Sequence, residues 1–534
     1  MKKRLGREIA AGVLSAAVGA MAVFSRKVYF SPWVGLYTDR RDIWFEAFEP
    51  ADLLWWLLFS AAAHAVFRGI LFLMEKKPPG RALSQQKGPF LLFLAILFLA
   101  QLPCLLSFFP GGIYADTIPS LLIARGEAPL SNRQPVLYAF YWKIFVEIGR
   151  LLALPETAVF FLHTLSIAVF YALSGAYFLS VLCRHGTAKV LTVFLTAYLA
   201  LFPLIPLYVV SLWKDTPFAL AVFALSTFLY DHFSEGWEHA GDWLRRPKSV
   251  IFYALLAFLV IFLRNNAVYA FVLFSLTAFL CLLHFNRPAG RHFGLLSLAL
   301  LLPLCTLRGA ISSSAESVES LGIPLQQVGY VLDQGGEIAE EDLAFLSRIL
   351  PVERWKEVYR PLVVDVVKWD EAFDNTFFRE HTGEFLRVWL RIVGKNFPAA
   401  VKGYALATVG FWDPTRQMTH GYVCNFMWEG EDLPLMRDLP EEWTGFSLRG
   451  IYDGLPLFSA ALFAWAVLIL TVLGTIRHGR PSFLAAVPGL GIWLTVLVAT
   501  PIAFSLRYLF PMVLLVPAAL AVFFEPPLSG KKTR

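Results

Sequence analysis

Long apolar runs separated by short polar segments are the dominant pattern of this chain. Because a helix needs about 20 apolar residues to cross the hydrocarbon core of a bilayer, runs of this length favour membrane-spanning helices. The pattern predicts an all-α polytopic membrane protein with about twelve transmembrane helices. The predicted spans are 9–24, 52–74, 89–109, 157–182, 188–210, 216–232, 250–263, 267–285, 294–308, 455–476, 481–504 and 508–525.

One further apolar stretch, 135–152, is strongly amphipathic. Lys143, Glu147 and Arg150 share one face of a helix. Since three charges on one face fit poorly in lipid, the pattern predicts a helix that lies in the membrane interface. A true span whose charged face is buried in the bundle is the alternative. The predicted apolar face consists of Leu137, Tyr141, Ile144, Ile148, Leu151 and Leu152.

The composition supports a membrane protein. Hydrophobic residues make up 57% of the 534 residues and charged residues only 16%, whereas a soluble domain carries about 25% charged residues. The net charge of +6 comes from basic residues scattered over short loops, which indicates membrane topology and not a nucleic-acid partner. The five cysteines show no CxxC or Cys/His spacing, so neither a disulfide framework nor a structural zinc site is predicted.

Lysine and arginine residues collect in alternate loops. With a cytoplasmic N-terminus, every predicted inside loop carries at least one of them, whereas the outside loop 25–51 mixes both signs of charge. The positive-inside rule therefore predicts that both termini are cytoplasmic and that Asp116 and the segment 309–450 lie outside. The predicted inside loops are 1–8, 75–88, 183–187, 233–249, 286–293, 477–480 and 526–534.

Four regions follow from these patterns. They are an N-terminal two-helix extension (1–88), a membrane core with a first outer loop at 110–156 (89–308), a mostly helical extracytoplasmic segment (309–450), and the C-terminal membrane helices with a basic tail (451–534). Within the third region, the residues before Pro351 predict a short helix and those before Pro398 an amphipathic helix. The stretch "AAVKGYALATVGFWDP" that follows predicts an interfacial or re-entrant segment.

A single carboxylate, Asp116, stands in the Gly/Pro-rich turn "FFPGGIYADT". It could cap the helix that begins with "TIPSLL", because an Asp at this place accepts hydrogen bonds from the free N–H groups of the first turn. The functional alternative is a carboxylate at the mouth of an intramembrane cavity, where it acts as a base or a metal ligand.

Three cations and a second acid also stand at predicted outer ends of apolar runs. Lys214 and Asp215 lie in "VVSLWKDTPFAL", Arg264 in "FLRNNAVY" and Arg507 in "FSLRYLFPM". Snorkelling toward the headgroups explains a lone Lys or Arg at such a place, but the guanidinium fork also suits a phosphate. We expect Asp116, Asp215, Arg264 and Arg507 to share one pocket at the outer surface. HExxH, GxSxG, P-loop and dinucleotide motifs are absent from the sequence.

Over roughly 89–525, the order of "FFPGGIYADT", "SNRQPVLYAFYW", "LWKDTPFA" and "RYLFPM" resembles the GT-C superfamily of polytopic glycosyltransferases. More closely, the chain is similar to an uncharacterised group of bacterial membrane proteins with a "PG…D…SN..P" pattern. The GT-C resemblance implies a polyprenyl-phosphate-linked sugar donor and chemistry at the outer membrane face. On this resemblance Asp116 takes the place of the first-loop acid.

Asn132 and Pro135 match the second part of that pattern, whereas Gln134 departs from it because a His is common there. Two predicted spans precede the first-loop span, and Asp116 lacks an adjacent acid. These departures leave metal dependence and the type of acceptor open. No cofactor is indicated, and a divalent metal stays open as a ligand.

The function that this resemblance implies is transfer of a sugar from a polyprenyl-phosphate carrier to an extracytoplasmic glycan or protein acceptor, in the bacterial cytoplasmic membrane. Asp116 is the expected catalytic residue, and the expected substrate-binding residues are Asn132, Lys214, Asp215, Arg264 and Arg507. Two other functions use the same outer residues. One is a transporter or flippase of lipid-linked envelope precursors, and the other is a non-catalytic membrane scaffold.

Overall fold

The computed structural model describes residues 2–31, 35, 37, 42–76, 89–130, 134–311, 317–418, 435–456 and 458–525. Their regular structure is almost entirely α-helical, which confirms the predicted all-α class. Eight of the described helices are long and apolar enough to cross a bilayer, which is typical of a multi-pass helical membrane protein. Three more apolar helices are shorter: Lys189–Leu201, Pro247–Leu263 and Val487–Ala499.

The N-terminal region is a helical hairpin joined by a small sheet that the sequence did not predict. Strands β1 and β2 pair antiparallel, with Val28 opposite Phe45. An ion pair of 2.8 Å between Lys27 and Asp52 joins the end of the first helix to the start of the second. The elements are α1 (Lys2–Lys27), β1 (Val28–Phe30), β2 (Ile43–Phe45) and α2 (Pro50–Lys76).

Ten helices form the next region. The predicted span 188–210 is wrong as a single helix, because the chain breaks between α7 and α8 at Phe202 and Pro203. Proline has no N–H group with which to continue the helical hydrogen bonds. The helices are α3 (Phe90–Ser107), α4 (Thr117–Arg125), α5 (Val136–Leu151), α6 (Glu156–Arg184), α7 (Lys189–Leu201), α8 (Leu204–Val209), α9 (Asp215–Phe233), α10 (Pro247–Leu263), α11 (Ala267–Phe285) and α12 (Arg287–Ile311).

Helix α9 occupies the centre of the bundle. Every residue from Asp215 to Tyr230 is buried, and α9 packs against α6 and α10. A helix that is apolar on all sides is expected to be buried on all sides. The first residue of this central helix is Asp215, so the fold places a carboxylate at the start of a deeply buried helix.

Helix α5 packs against the bundle with a face that the sequence analysis did not single out. Its buried side includes Tyr138, Trp142 and Phe145, which surround the imidazole of His163 on α6. The predicted apolar face is partly exposed, as Ile144 shows. A helix that meets protein on one side and lipid on another needs two apolar faces, and the periodicity alone did not separate them. The position of α5 relative to the bilayer stays a prediction.

The polar segment, residues 309–450, has its own hydrophobic core. The predicted short helix before Pro351 and the amphipathic helix are confirmed as α14 and α18, and α18 buries Phe385, Val388 and Ile392. The helices are α13 (Gly322–Asp333), α14 (Glu340–Ile349), α15 (Val352–Val358), α16 (Asp365–Lys368), α17 (Asn375–Glu380), α18 (Thr382–Lys395), α19 (Phe397–Ala407) and α20 (Val409–Trp412).

The last region returns to the bundle. The predicted span 481–504 is a 3₁₀ turn, Pro481–Ala485, followed by a helix that ends at Ala499. The extended residues beyond it bind the polar segment, since Ala503 N–H donates to Leu362 O at 2.8 Å. The helices are α21 (Leu439–Thr444), α22 (Arg449–Asp453), α23 (Ala460–His478), α24 (Val487–Ala499) and α25 (Phe510–Phe523).

Candidate functional site

Two turns at one end of the bundle are bonded to each other. The Gly112 N–H donates to Val210 O at 2.8 Å, and the Leu212 N–H donates to Gly112 O at 2.9 Å. Gly111 has a φ of +141°, and a Cβ there would lie 2.3 Å from Thr164 Oγ1. Only glycine tolerates this backbone and this space. The "PGG" sequence therefore brings the turn of Asp116 against the turn of Lys214 and Asp215.

The side chain of Asp116 does not cap α4, so the capping alternative is wrong. No side-chain cap hydrogen bond forms at this helix start, and the local bonds come from Thr117. Its hydroxyl accepts from Tyr114 N–H at 3.2 Å and donates to Leu212 O at 2.8 Å. The Asp116 carboxylate instead accepts from Arg507, with 2.5 Å between Nη1 and Oδ2.

A second ion pair joins Asp215 to Arg264, with 2.6 Å between Oδ1 and Nη1. Arg264 follows the last residue of α10, where the negative end of the helix dipole stabilises a cation. Its Nε also donates to Asn266 Oδ1 at 3.0 Å. Both members of this pair are buried, so the pair is part of the interior of the bundle.

Lys214 directly precedes Asp215 and interacts electrostatically with both ion pairs. Its ammonium donates to the Gln134 side-chain carbonyl at 2.6 Å. Burial lowers the pKa of Lys214 below its ordinary value, and the nearby carboxylates of Asp116 and Asp215 partly offset this effect. The positive charges of Arg264 and Arg507 lower the pKa of Lys214 further. The five charged groups therefore share one electrostatic environment.

Aromatic rings surround the two arginines. The guanidinium carbon of Arg507 lies 5.2 Å from the ring centre of Trp213 and 4.9 Å from that of Tyr508. The guanidinium of Arg264 lies 5.0 Å from the same Tyr508 ring. Such contacts stabilise a cation where water is scarce. We define the charged cluster as Asp116, Lys214, Asp215, Arg264 and Arg507.

Several polar atoms in and beside the charged cluster have no hydrogen-bond partner within the described ranges. They are Oδ2 of Asp215, Nε of Arg507 and the indole nitrogen of Trp213. Buried polar atoms are nearly always paired in native structures, so each such atom needs an explanation. The two nitrogens are hydrogen-bond donors and Asp215 Oδ2 is an acceptor. A bound anion that also carries hydroxyl groups would form hydrogen bonds with all three atoms.

An apolar cavity of about 480 Å³ lies beside the charged cluster. Two of its lining residues are close to the cluster along the chain: Pro217 is two positions after Asp215, and Leu263 directly precedes Arg264. Phe140 and Ile144 are half exposed, which opens the cavity to the outside of the bundle. The lining also includes Leu137, Tyr141, Lys143, Glu147, Phe170 and Leu259.

The structure thus brings together five of the six predicted site residues, and the sixth, Asn132, lies outside the described residues. Sequence reasoning gave no role to Trp213 and Tyr508, and it treated Gln134 only as a departure from a pattern. Trp213 precedes Lys214 and Tyr508 follows Arg507 in the sequence, but an aromatic residue beside a cation does not by itself predict a site. Within the described ranges, no group of three or more His, Cys, Asp or Glu residues is arranged to hold a metal.

Comparison with known proteins gives one match. No curated protein and no solved structure matches the chain. A model described as a family of unknown function, DUF6020, matches residues 113–530. The matched stretch includes the whole charged cluster and Asn132, and it covers well over half of the chain. The chain therefore belongs to the DUF6020 family.

Proposed function

We propose that the protein is a membrane glycosyltransferase that moves a sugar from a polyprenyl-phosphate carrier to an acceptor hydroxyl. The observation that carries this proposal is the juxtaposition of the charged cluster with the apolar cavity. Three cations and two carboxylates meet there at one end of the bundle. A lipid-linked phosphate presents a matching pair of features, an anionic headgroup and an apolar chain.

The cations suit the leaving group of the reaction. When the bond between the anomeric carbon and the phosphate oxygen breaks, the electron pair and a negative charge go to the phosphate. Arg507, Lys214 and Arg264 would stabilise that charge, and preorganised donors of this kind are the largest single source of catalysis in many enzymes. Arg507 offers the rigid guanidinium fork that binds phosphate through two donors.

Asp116 suits the other half of the reaction. The acceptor oxygen attacks the anomeric carbon while its proton passes to the Asp116 carboxylate, so the products are the glycosylated acceptor and a polyprenyl phosphate. The side chain is 35% exposed, which gives an acceptor access to it. If a divalent metal takes part, the carboxylates of Asp116 and Asp215 are the oxygen donors that the charged cluster offers.

The cavity between α5, α6, α9 and α10 suits the isoprenoid chain. Its lining is almost wholly apolar, and its opening faces the outside of the bundle between Phe140 and Ile144. A chain that enters there from the bilayer would lead its phosphate toward Leu263 and the adjacent Arg264. A water-soluble nucleotide sugar would make no use of such a cavity.

We place the charged cluster at the outer face of a bacterial cytoplasmic membrane. The end of the bundle opposite the cluster carries Arg184, Arg246, Lys248 and Arg477 near helix ends, and the positive-inside rule makes that end cytoplasmic. On this orientation twelve helices cross the bilayer, both termini are cytoplasmic and the polar segment is extracytoplasmic. A cysteine at position 340 should then react with an impermeant reagent in intact cells.

The decisive experiment compares Asp116→Asn with wild type in a deletion strain and with purified protein in vesicles. A glycosyltransferase should lose about 10²–10⁴-fold of its transfer rate on losing its base, with unchanged thermal stability, and polyprenyl-phosphate sugar should accumulate. Asp242→Asn, at an exposed site near the opposite end, is the matched control and should transfer normally. Full transfer by Asp116→Asn would refute the catalytic role of Asp116, and absence of transfer by the wild-type protein would favour a scaffold.

A further inference from the structure

The two ion pairs of the charged cluster differ in their access to solvent. In the Asp215–Arg264 pair the side chains are 1% and 10% exposed, whereas in the Asp116–Arg507 pair they are 35% and 18% exposed. When one partner of a buried pair leaves, the other charge remains in the interior without compensation. In an accessible pair, another ion or water can replace the partner that leaves. The Asp116–Arg507 contact is therefore the one that a ligand can replace.

Arg507 has donor capacity that its present contacts do not use. Its Nη1 binds Asp116 and its Nη2 donates to Tyr508 at 3.1 Å. Its Nε is buried without a hydrogen-bond partner in the described part of the chain. A phosphate accepts two parallel donors from one guanidinium, and this geometry is stronger than a single contact. A phosphate therefore satisfies Arg507 better than the Asp116 carboxylate does.

The same contact occupies the group that the proposed reaction needs. Oδ2 of Asp116 accepts a hydrogen bond from Arg507, so the ion pair holds the carboxylate against the guanidinium and not against an acceptor hydroxyl. A base is useful only when it lies within hydrogen-bond reach of the proton it takes. Without a ligand, the residues that the proposed reaction needs are therefore present, but Asp116 is not positioned to accept a proton.

Resting on the proposed function, we infer that the donor phosphate displaces Asp116 from Arg507 and thereby releases the base. The phosphate oxygens take the guanidinium fork, and the Asp116 Oδ2 turns toward the acceptor hydroxyl. The Asp215–Arg264 pair stays intact and holds the ends of α9 and α10 in place. Donor binding must then precede productive acceptor binding, and the base is held by Arg507 whenever no lipid-linked sugar is present.

The test measures carboxyl labelling of Asp116 with a carbodiimide and an amine nucleophile, read by peptide mass spectrometry on protein in lipid nanodiscs. Farnesyl phosphate should raise labelling of Asp116 several-fold, and farnesol, which lacks the phosphate, should leave it unchanged. Inorganic phosphate at the same concentration distinguishes a free anion from a lipid headgroup. Equal effects of both phosphates would show that the apolar chain contributes nothing.

Two comparisons in the same samples make the result specific. Asp215 should stay unlabelled in every arm, because its partner is not exchanged. In Arg507→Gln, Asp116 should be labelled without any ligand, and Arg507→Met, which also removes the charge, serves if that variant is unstable. If farnesyl phosphate binds in a parallel binding assay but Asp116 labelling does not change, the exchange is wrong and the proposed function stands. If farnesyl phosphate does not bind at all, both fail.

Discussion

Both ends of the helical bundle contain buried charges, but they use them differently. At the end opposite the charged cluster, Arg480 donates to the backbone carbonyl of Ser234 at 3.2 Å, and Arg477 donates to that of Phe523 at 3.0 Å. These carbonyls lie where α9 and α25 end, and the last carbonyls of a helix have no partner within the helix. The cations there complete helix ends and also pair with the carboxylates of Asp231 and Glu525, which ties neighbouring helices together.

At the end that holds the charged cluster, the cations contact side chains from other segments. Arg507 reaches Asp116 across 391 positions of sequence, and Arg264 reaches Asp215 across 49. Polar atoms in and beside the cluster lack partners in the described part of the chain, and an apolar cavity adjoins it. A charged arrangement that is accessible and adjoins an apolar cavity is typical of a ligand site, whereas cations that complete helix ends hold the fold together.

The largest expected effect concerns the buried ion pair within the cluster. Arg264→Gln leaves the Asp215 carboxylate without its cation in the interior, so we expect the free energy of unfolding to fall by about 3–5 kcal/mol. The matched change Arg507→Gln breaks an accessible pair and should cost about 1 kcal/mol or less. Thermal or denaturant unfolding in detergent would measure both.

A double variant sharpens this first prediction. Adding Asp215→Asn to Arg264→Gln removes the stranded charge, so much of the lost stability should return. Equal losses for Arg264→Gln and Arg507→Gln would contradict the distinction between a permanent pair and an exchangeable one.

Much of the fold was predictable because apolar runs and helix breakers act locally. The proximity of Asp116 to Lys214 and Asp215 was also predictable, because all three stand at ends of apolar runs that the charge pattern places on the same side of the membrane. The choice of partners was not predictable. Whether Arg507 binds Asp116 or Asp215 depends on how α9, α10 and α25 pack, which no periodicity encodes. The packed face of α5 was missed for the same reason, because two apolar faces look alike in sequence.

The second expected effect concerns donor binding. Arg507→Ala removes charge-assisted hydrogen bonds to the phosphate, which are worth about 1.5–3 kcal/mol, so the KM for the donor should rise about 10–100-fold. The kcat should change less, because Lys214 and Arg264 still stabilise the charge on the leaving phosphate. Steady-state kinetics with Arg246→Ala, an exposed residue at the opposite end, as control would test this. A fall in kcat with an unchanged KM would instead make Arg507 a residue of the transition state alone.

The effect that is expected to be smallest near neutral pH belongs to the opposite end of the bundle and depends on pH. Burial raises the pKa of Glu525 from 4.5 to about 8, although Arg480 and Ser482 oppose the shift. The folded state therefore holds a proton that the unfolded chain releases above pH 4.5. The stabilisation is fully present below that pH, declines as pH rises toward 8 and stays constant beyond it.

Between pH 7 and pH 8 the expected loss is about 1 kcal/mol. Glu525→Gln keeps the shape of the protonated acid, so its unfolding free energy should lack this decline. The measurement is thermal unfolding of both proteins across the pH range, with Glu235→Gln, an exposed residue of the same end, as control. Because Glu525 takes no part in the proposed reaction, the transfer rates of Glu525→Gln and wild type should agree at pH 7. A change in donor KM in this variant would mean that the two ends of the bundle are coupled. The opposite end would then not be purely structural.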